Sequence, residues 1–273
     1  MHHPSGLNYV HGCIIGTARG PRAGACKHAA GIVKRVPEKR LCRCIQTPIM
    51  ANQGAACAPI RCTMKRNAEL ENRVAQLYDE RLQYHNFGHV LRVLDAAEQL
   101  LVQCRSEGVA VDEEVVYYAI LLHDAGFYED HAARGFDSKE AYSAHLAGEL
   151  LRELGVAQDV TDRVQAAILA THIDARCHSN EDKLVRLADL HGLGGDYARF
   201  KQDTLDLKQE AEMMAGRRID WEEWKAMADQ RIILYLREDM ALVSGYYDGQ
   251  GQSVFHTRAL DNISTLKDDE GSP

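Results

Sequence analysis

At 273 residues with a formal net charge of −8, the chain is long enough to bury a substantial core and too acidic for bulk attraction to nucleic acid. No apolar stretch approaches the roughly 20 residues that span a bilayer, and the longest, VVYYAILL, is cut off by His123 and Asp124. The charge divides unevenly: residues 1–63 hold nine Lys/Arg against the single acid Glu38, which leaves 23 basic and 39 acidic residues beyond them.

Residues 1–63 also hold five of the six prolines (Pro4, Pro21, Pro37, Pro48, Pro59), six of the eight cysteines, and no run with a helical or strand period. This reads as an unstructured basic extension ahead of a folded body at 64–273. Its cysteines, at 13, 26, 42, 44, 57 and 62, include one close pair, Cys42 and Cys44, and no CxxC, which argues against a zinc cluster. The segment lacks the apolar core of about 7 to 15 residues found in a secretory signal. It is Arg-rich and acid-poor like a transit peptide, yet has one serine and little amphipathic period. The simplest expectation is a start at Met64 or Met50. With Cys104 and Cys177 alone in the body, no disulfide framework is indicated, and a reducing, cytoplasmic location is expected.

From Met64 to Ser272 there is no proline, so the strongest helix breaker is missing throughout the body. Leu70, Val74, Leu77 and Tyr78 recur at helical spacing, as do Val90, Leu91, Val93, Leu94, Ala97, Leu100 and Leu101. Gly108 then closes a helix and Asp112-Glu113-Glu114 opens the next. Val115 to Leu122 is apolar on every side, the signature of a central buried helix. Gly155 ends another helix before Asp159, and Asp220 with Glu223 forms a capping-box pattern ahead of Trp224. No segment alternates like a strand. The expected fold is an all-α bundle of about eight or nine helices.

Within these apolar segments sit seven polar residues: His85, His89, His123, Asp124, His145, His172 and Asp189. An imidazole or carboxylate buried among Leu, Ile and Ala costs several kcal/mol, of order 2–7, unless it is neutralised and hydrogen-bonded. A divalent metal does both. His85 and His89, four apart, share one helical face. His123 and Asp124 end the all-apolar run, and Asp189 interrupts Leu184, Val185, Leu187, Ala188 and Leu190. Asp189 alone has a lesser alternative, capping a neighbouring helix. His145 lies beside Ala144, Ala147 and Gly148, small residues that admit another helix or a ligand, and His172 closes the run Val164 to Ala170. A mixed imidazole and carboxylate set suits Mn, Fe, Co, Ni or Zn better than Mg.

The order His89, His123-Asp124, Asp189 resembles the H…HD…D pattern of the HD superfamily of metal-dependent phosphohydrolases, an all-α family. The blocks YHNFGH at 84–89, LLHDAGFY at 121–128, EAYSA at 140–144, ATHID at 170–174 and LADLHGLG at 187–194 are similar to its predicted metal-dependent phosphohydrolase subgroup, and the likeness runs over about residues 65–268. The resemblance implies an HD-domain helical bundle in which His89, His123, Asp124 and Asp189 coordinate one metal, His89 fitting the first-ligand spacing better than His85. It implies that Tyr84, His85 and Asn86 contact substrate or hydrogen-bond the ligands. His145 and His172 resemble the additional histidines of dinuclear HD sites, where the aspartate of the dipeptide bridges both ions, so one or two ions are expected.

One departure stands out. Many relatives place a lysine shortly after the dipeptide, as HDxGK, whereas here Ala125, Gly126, Phe127 and Tyr128 follow. Positive charge for a phosphate would then come from Lys183, Arg134 or the metal. The resemblance implies hydrolysis of a phosphate ester, in a nucleotide or small phosphorylated metabolite, by metal-activated water, with Asp124, His85 and Asn86 as catalytic candidates. Two other classes stay open: a di-iron oxygenase built on the same six ligands, and a non-catalytic metal- or ligand-binding protein. The sequence indicates no nucleic-acid or membrane partner and leaves the oligomeric state unassigned.

Overall fold

The computed structural model describes residues 64–271; the expectations for the extension at 1–63, its cysteines included, lie outside the described residues. Among the described residues there are nine α-helices and no strand: α1 (Ala68–Ala75), α2 (Phe87–Glu107), α3 (Glu113–Leu122), α4 (Lys139–Glu153), α5 (Gln158–Leu169), α6 (Asn180–Asp189), α7 (Tyr197–Ala215), α8 (Trp221–Tyr235) and α9 (Val254–Asp268). The all-α expectation holds, and the helix count agrees.

Local chemistry sets the boundaries. Asn86, Asp112, Ser138, Ser179 and Asp220 are N-caps whose side chains accept from backbone N–H groups in the following turn, each such cap being worth about 0.5–2 kcal/mol. At the far end of α2, Gly108 takes φ +72°, a left-handed conformation that a side chain would strain.

α3 is the axis. Every residue from Val115 to Leu122 except Tyr118 is buried, and α1, α2, α4, α5 and α6 all pack on it. The main core is built from its side chains with Val90, Val93 and Leu94 of α2, Ala144, Ala147 and Leu151 of α4, Val164 and Ile168 of α5, and Leu184, Val185 and Ala188 of α6. A smaller cluster of Phe200, Ile232, Ile263 and Leu266 joins α7, α8 and α9. Tyr78 donates its hydroxyl to the Leu121 carbonyl at 2.8 Å, anchoring the end of α3 from which the chain turns into His123 and Asp124. No helix among the described residues is long and apolar enough to cross a membrane.

Candidate metal centre

Three helix ends deliver polar side chains to one buried point. His89 lies in the first turn of α2, its backbone N–H accepted by the Asn86 cap at 3.2 Å. His123 and Asp124 follow α3 directly, and Asp189 is the last residue of α6. His89, His123 and Asp124 are 1%, 1% and 3% exposed, and their candidate ligand atoms all lie within 4.8 Å of one another. Asp189 lies against the two histidines of this group: its Oδ1 is 3.0 Å from His89 Nε2 and 3.4 Å from His123 Nε2. Asp124 Oδ2 stands 3.1 Å from His123 Nε2 and 3.9 Å from His89 Nε2.

Three of these four separations, 3.0, 3.1 and 3.4 Å, suit the ligands of one ion, and the fourth, 3.9 Å, is longer. Ligand bonds of about 2.0–2.2 Å place neighbouring donor atoms roughly 3.0–3.5 Å apart. His123 gives the more telling sign. Its Nδ1 donates to the Ile120 carbonyl at 2.8 Å, which turns Nε2 towards the two carboxylates. That buried Nε2 makes no well-formed hydrogen bond, although Asp124 Oδ2 and Asp189 Oδ1 lie 3.1 and 3.4 Å from it and attract it by charge. A buried polar atom without a partner costs about 1–3 kcal/mol, and a metal would satisfy it. The donor chemistry of the four residues fits a divalent ion.

Electrostatics divide the two histidines. Burial lowers the proton affinity of His89 and outweighs the help it gets from Asp189. Burial acts the same way on His123, but the charges of Asp124 and Asp189 overcome it and hold His123 well above the ordinary imidazole range. Burial alone would raise the two carboxyls. His123 reverses this for both, aided by Lys139 at Asp124 and by His89 at Asp189, so both stay ionised below the usual carboxylate range.

The other sequence candidates fall in different places. Tyr84 and His85 line the centre from the N-terminal side of α2. The Tyr84 ring lies 4.6 Å, centroid to centroid, from that of His89, and the His85 ring stacks on Phe127 at 3.7 Å and 16°. Asn86 uses its side chain locally: its amide donates to the Leu82 and Gln83 carbonyls while its oxygen caps α2. His172 accepts from the Asp174 N–H through Nδ1 at 3.2 Å. His145 lies outside the cluster, 46% exposed, its ring against Phe136 and its Nε2 3.5 Å from Glu149. Lys183 donates to the Ala241 carbonyl, and Arg134 pairs with Glu129 and lies over Tyr142.

Three residues that sequence reading did not place in the site turn out to shape it. Lys139, the first residue of α4, donates Nζ to Asp124 Oδ1 at 2.9 Å, so it brings to the dipeptide the cation missing from the residues just after it. Glu210 of α7 accepts from the backbone N–H groups of Tyr84 and His85 and bonds His85 Nδ1 at 2.6 Å. Burial raises the Glu210 carboxyl, but these bonds prevail and keep it below its usual range. Arg186, fully buried on α6, clamps the carbonyls of Ala170, His172, Ile173 and Ala175, fixing the turn that carries His172 to the helix that carries Asp189. One available signal was charge in an apolar run, Arg186 amid Leu184 to Leu190; Glu210 carried only the family resemblance of its region, without a role, and Lys139 carried none.

Residues 86–191 match the family model for the HD domain. The match spans His89, His123, Asp124 and Asp189 and leaves out Tyr84, His85 and Glu210. No curated protein matches the chain.

Proposed function

Since residues 86–191 form an HD domain, we propose that this chain is a metal-dependent phosphohydrolase that cleaves a phosphate ester of a nucleotide or small phosphorylated metabolite. The observation that carries this reading is the orphaned His123 Nε2, buried and facing His89, Asp124 and Asp189. Those four residues would hold one divalent ion, Mn, Fe, Co, Ni or Zn by donor type. Such an ion lowers the pKa of water and draws negative charge from a phosphoryl oxygen.

The chain's own residues handle the protons. The Glu210 carboxylate accepts from His85 Nδ1, so in the neutral ring Nε2 carries the lone pair and is the proton acceptor. This is the orienting logic of a carboxylate behind a catalytic imidazole. With its ring held flat on Phe127 and 6.0 Å from the His89 ring, His85 is positioned to take a proton from attacking water and return it to the leaving oxygen. Tyr84 walls the His89 side. Neither cysteine among the described residues is placed to act as a nucleophile: Cys104 is buried in the core, and burial pushes the Cys177 thiol up to about 11, leaving it protonated at neutral pH. The exposed place of His145 favours hydrolysis over a six-ligand di-iron oxygenase.

The test is to strip the purified chain of metal, reload it separately with Mn, Co, Ni, Fe, Zn or Mg, and measure phosphate release from nucleotides and sugar phosphates. Turnover that needs metal and disappears in His123→Ala supports the proposal. An iron-loaded protein that consumes oxygen and spares the esters would identify an oxygenase; tight metal binding without turnover would identify a binding protein.

A further inference from the structure

The two oxygens of Asp124 are turned to different groups, one to the histidines and one to Lys139. Its Oδ2 is turned to His123 and His89, at 3.1 and 3.9 Å, whereas Oδ1 accepts from Lys139 Nζ at 2.9 Å. The same ammonium lies 3.5 Å from Glu140 Oε1 and 4.5 Å from the centroid of the Phe127 ring. The Asp124 and Glu140 side chains are 3% and 4% exposed. Two buried carboxylates need a cation between them, and an aromatic face closes a third side. Lys139 opens α4 directly after the Ser138 cap, and α4 is packed along α5, so the backbone that carries the ammonium is fixed.

A carboxylate with its oxygens turned to different cations has the geometry of a bridge, which two-metal sites use to hold ions about 3.5–4 Å apart. We infer that the Lys139 ammonium occupies the position of a second ion, so that the chain binds one divalent metal and not two. The inference rests on the metal-site reading above. A divalent ion placed on Asp124 Oδ1 would meet an ammonium whose other sides are closed by Glu140 and Phe127. The lysine supplies a fixed positive charge beside the metal that needs no second ion, and it leaves Asp124 Oδ2 for the metal held by His89, His123 and Asp189. His145, at the surface beside Glu149, is not needed as a ligand.

Manganese(II) titration of the metal-stripped full chain, followed by electron paramagnetic resonance, tests this without any substrate. Wild type and Lys139→Arg are expected to saturate at one ion with an uncoupled signal. Lys139→Gln, which keeps much of the volume and removes the charge, is expected to take a second ion on Asp124 Oδ1 and Glu140 and to show the spectrum of a coupled pair. Two coupled ions in wild type would overturn the inference, and that measurement holds even if a variant fails to fold. A correctly folded Lys139→Gln that stops at one ion would also overturn it. No manganese bound by wild type, or binding unchanged by His123→Ala, would instead remove the metal-site reading beneath it.

Discussion

Arg186 gives the account a consequence that depends on no substrate. Its guanidinium is fully buried; Nη1 donates to the carbonyls of Ala170, His172 and Ala175 at 2.8, 2.7 and 3.2 Å, and Nη2 to that of Ile173 at 3.3 Å. Arg186→Met keeps the apolar stem and removes every one of these donors. Each buried acceptor left without a partner costs about 1–3 kcal/mol. His172 and Ala175 are only partly buried, so water can replace some bonds, and the lower end of the sum applies: about 4 kcal/mol. For a domain of this size each kcal/mol moves the midpoint by about 2–4 °C, so a fall of roughly 8–16 °C is expected. Circular dichroism melting in excess chelator measures it free of any metal contribution. A fall smaller than about 3 °C would show that the clamp contributes little to the stability of the fold.

Glu210→Gln should leave metal stoichiometry intact but lower kcat by about 10²–10⁴, because an amide facing His85 Nδ1 favours the wrong tautomer; an unchanged kcat would remove His85 from proton transfer. Gly126→Ala should destabilise by about 1–3 kcal/mol through overpacking, since a Cβ there would meet Tyr142 Cδ1 at 2.4 Å; an unshifted melting curve would show that Tyr142 yields freely. Metal affinity should depend on pH through His123, whose folded-state pKa is raised by Asp124 and Asp189 against the opposing effect of burial. Below that raised value a proton competes with the metal, so affinity falls about tenfold per pH unit. The metal-free protein shows the other side of the same linkage: His123 adds stability below the unfolded imidazole pKa and loses it as pH rises through the folded one. Competition titrations with a chelating dye should therefore show affinity still rising from pH 7 to pH 8, and a plateau beginning at about 6.5, the ordinary imidazole value, would contradict this.

The sequence made the helices legible because proline is absent from the body and the caps are local: Asp112, Gly108 and Asp220 act within a turn of their own position. The clustered residues were legible for a different reason, since His123, Asp124 and Asp189 break apolar runs that have to be buried. His145 carried a related signal and lies outside the cluster. Its neighbours Ala144, Ala147 and Gly148 are small because α5 packs there, with Gln165 reaching the Ala144 carbonyl and standing 2.5 Å from where a Cβ on Gly148 would lie; His145 itself points out of that contact. Lys139 and Glu210 were illegible because their roles come from distance folded away. Lys139 is 15 residues from Asp124, and Glu210 is 125 from His85, and no local pattern marks either.

Metal content in wild type and two histidine variants shows where the ion is held. His89 offers Nε2 to the cluster, whereas His85 is held by Glu210 beside it. Inductively coupled plasma measurement on the folded, reloaded chain should therefore find one ion per wild-type chain, almost none in His89→Ala, and nearly wild-type content in His85→Ala. Equal metal in wild type and His89→Ala would contradict the account, because it would place any bound ion away from His89, His123, Asp124 and Asp189.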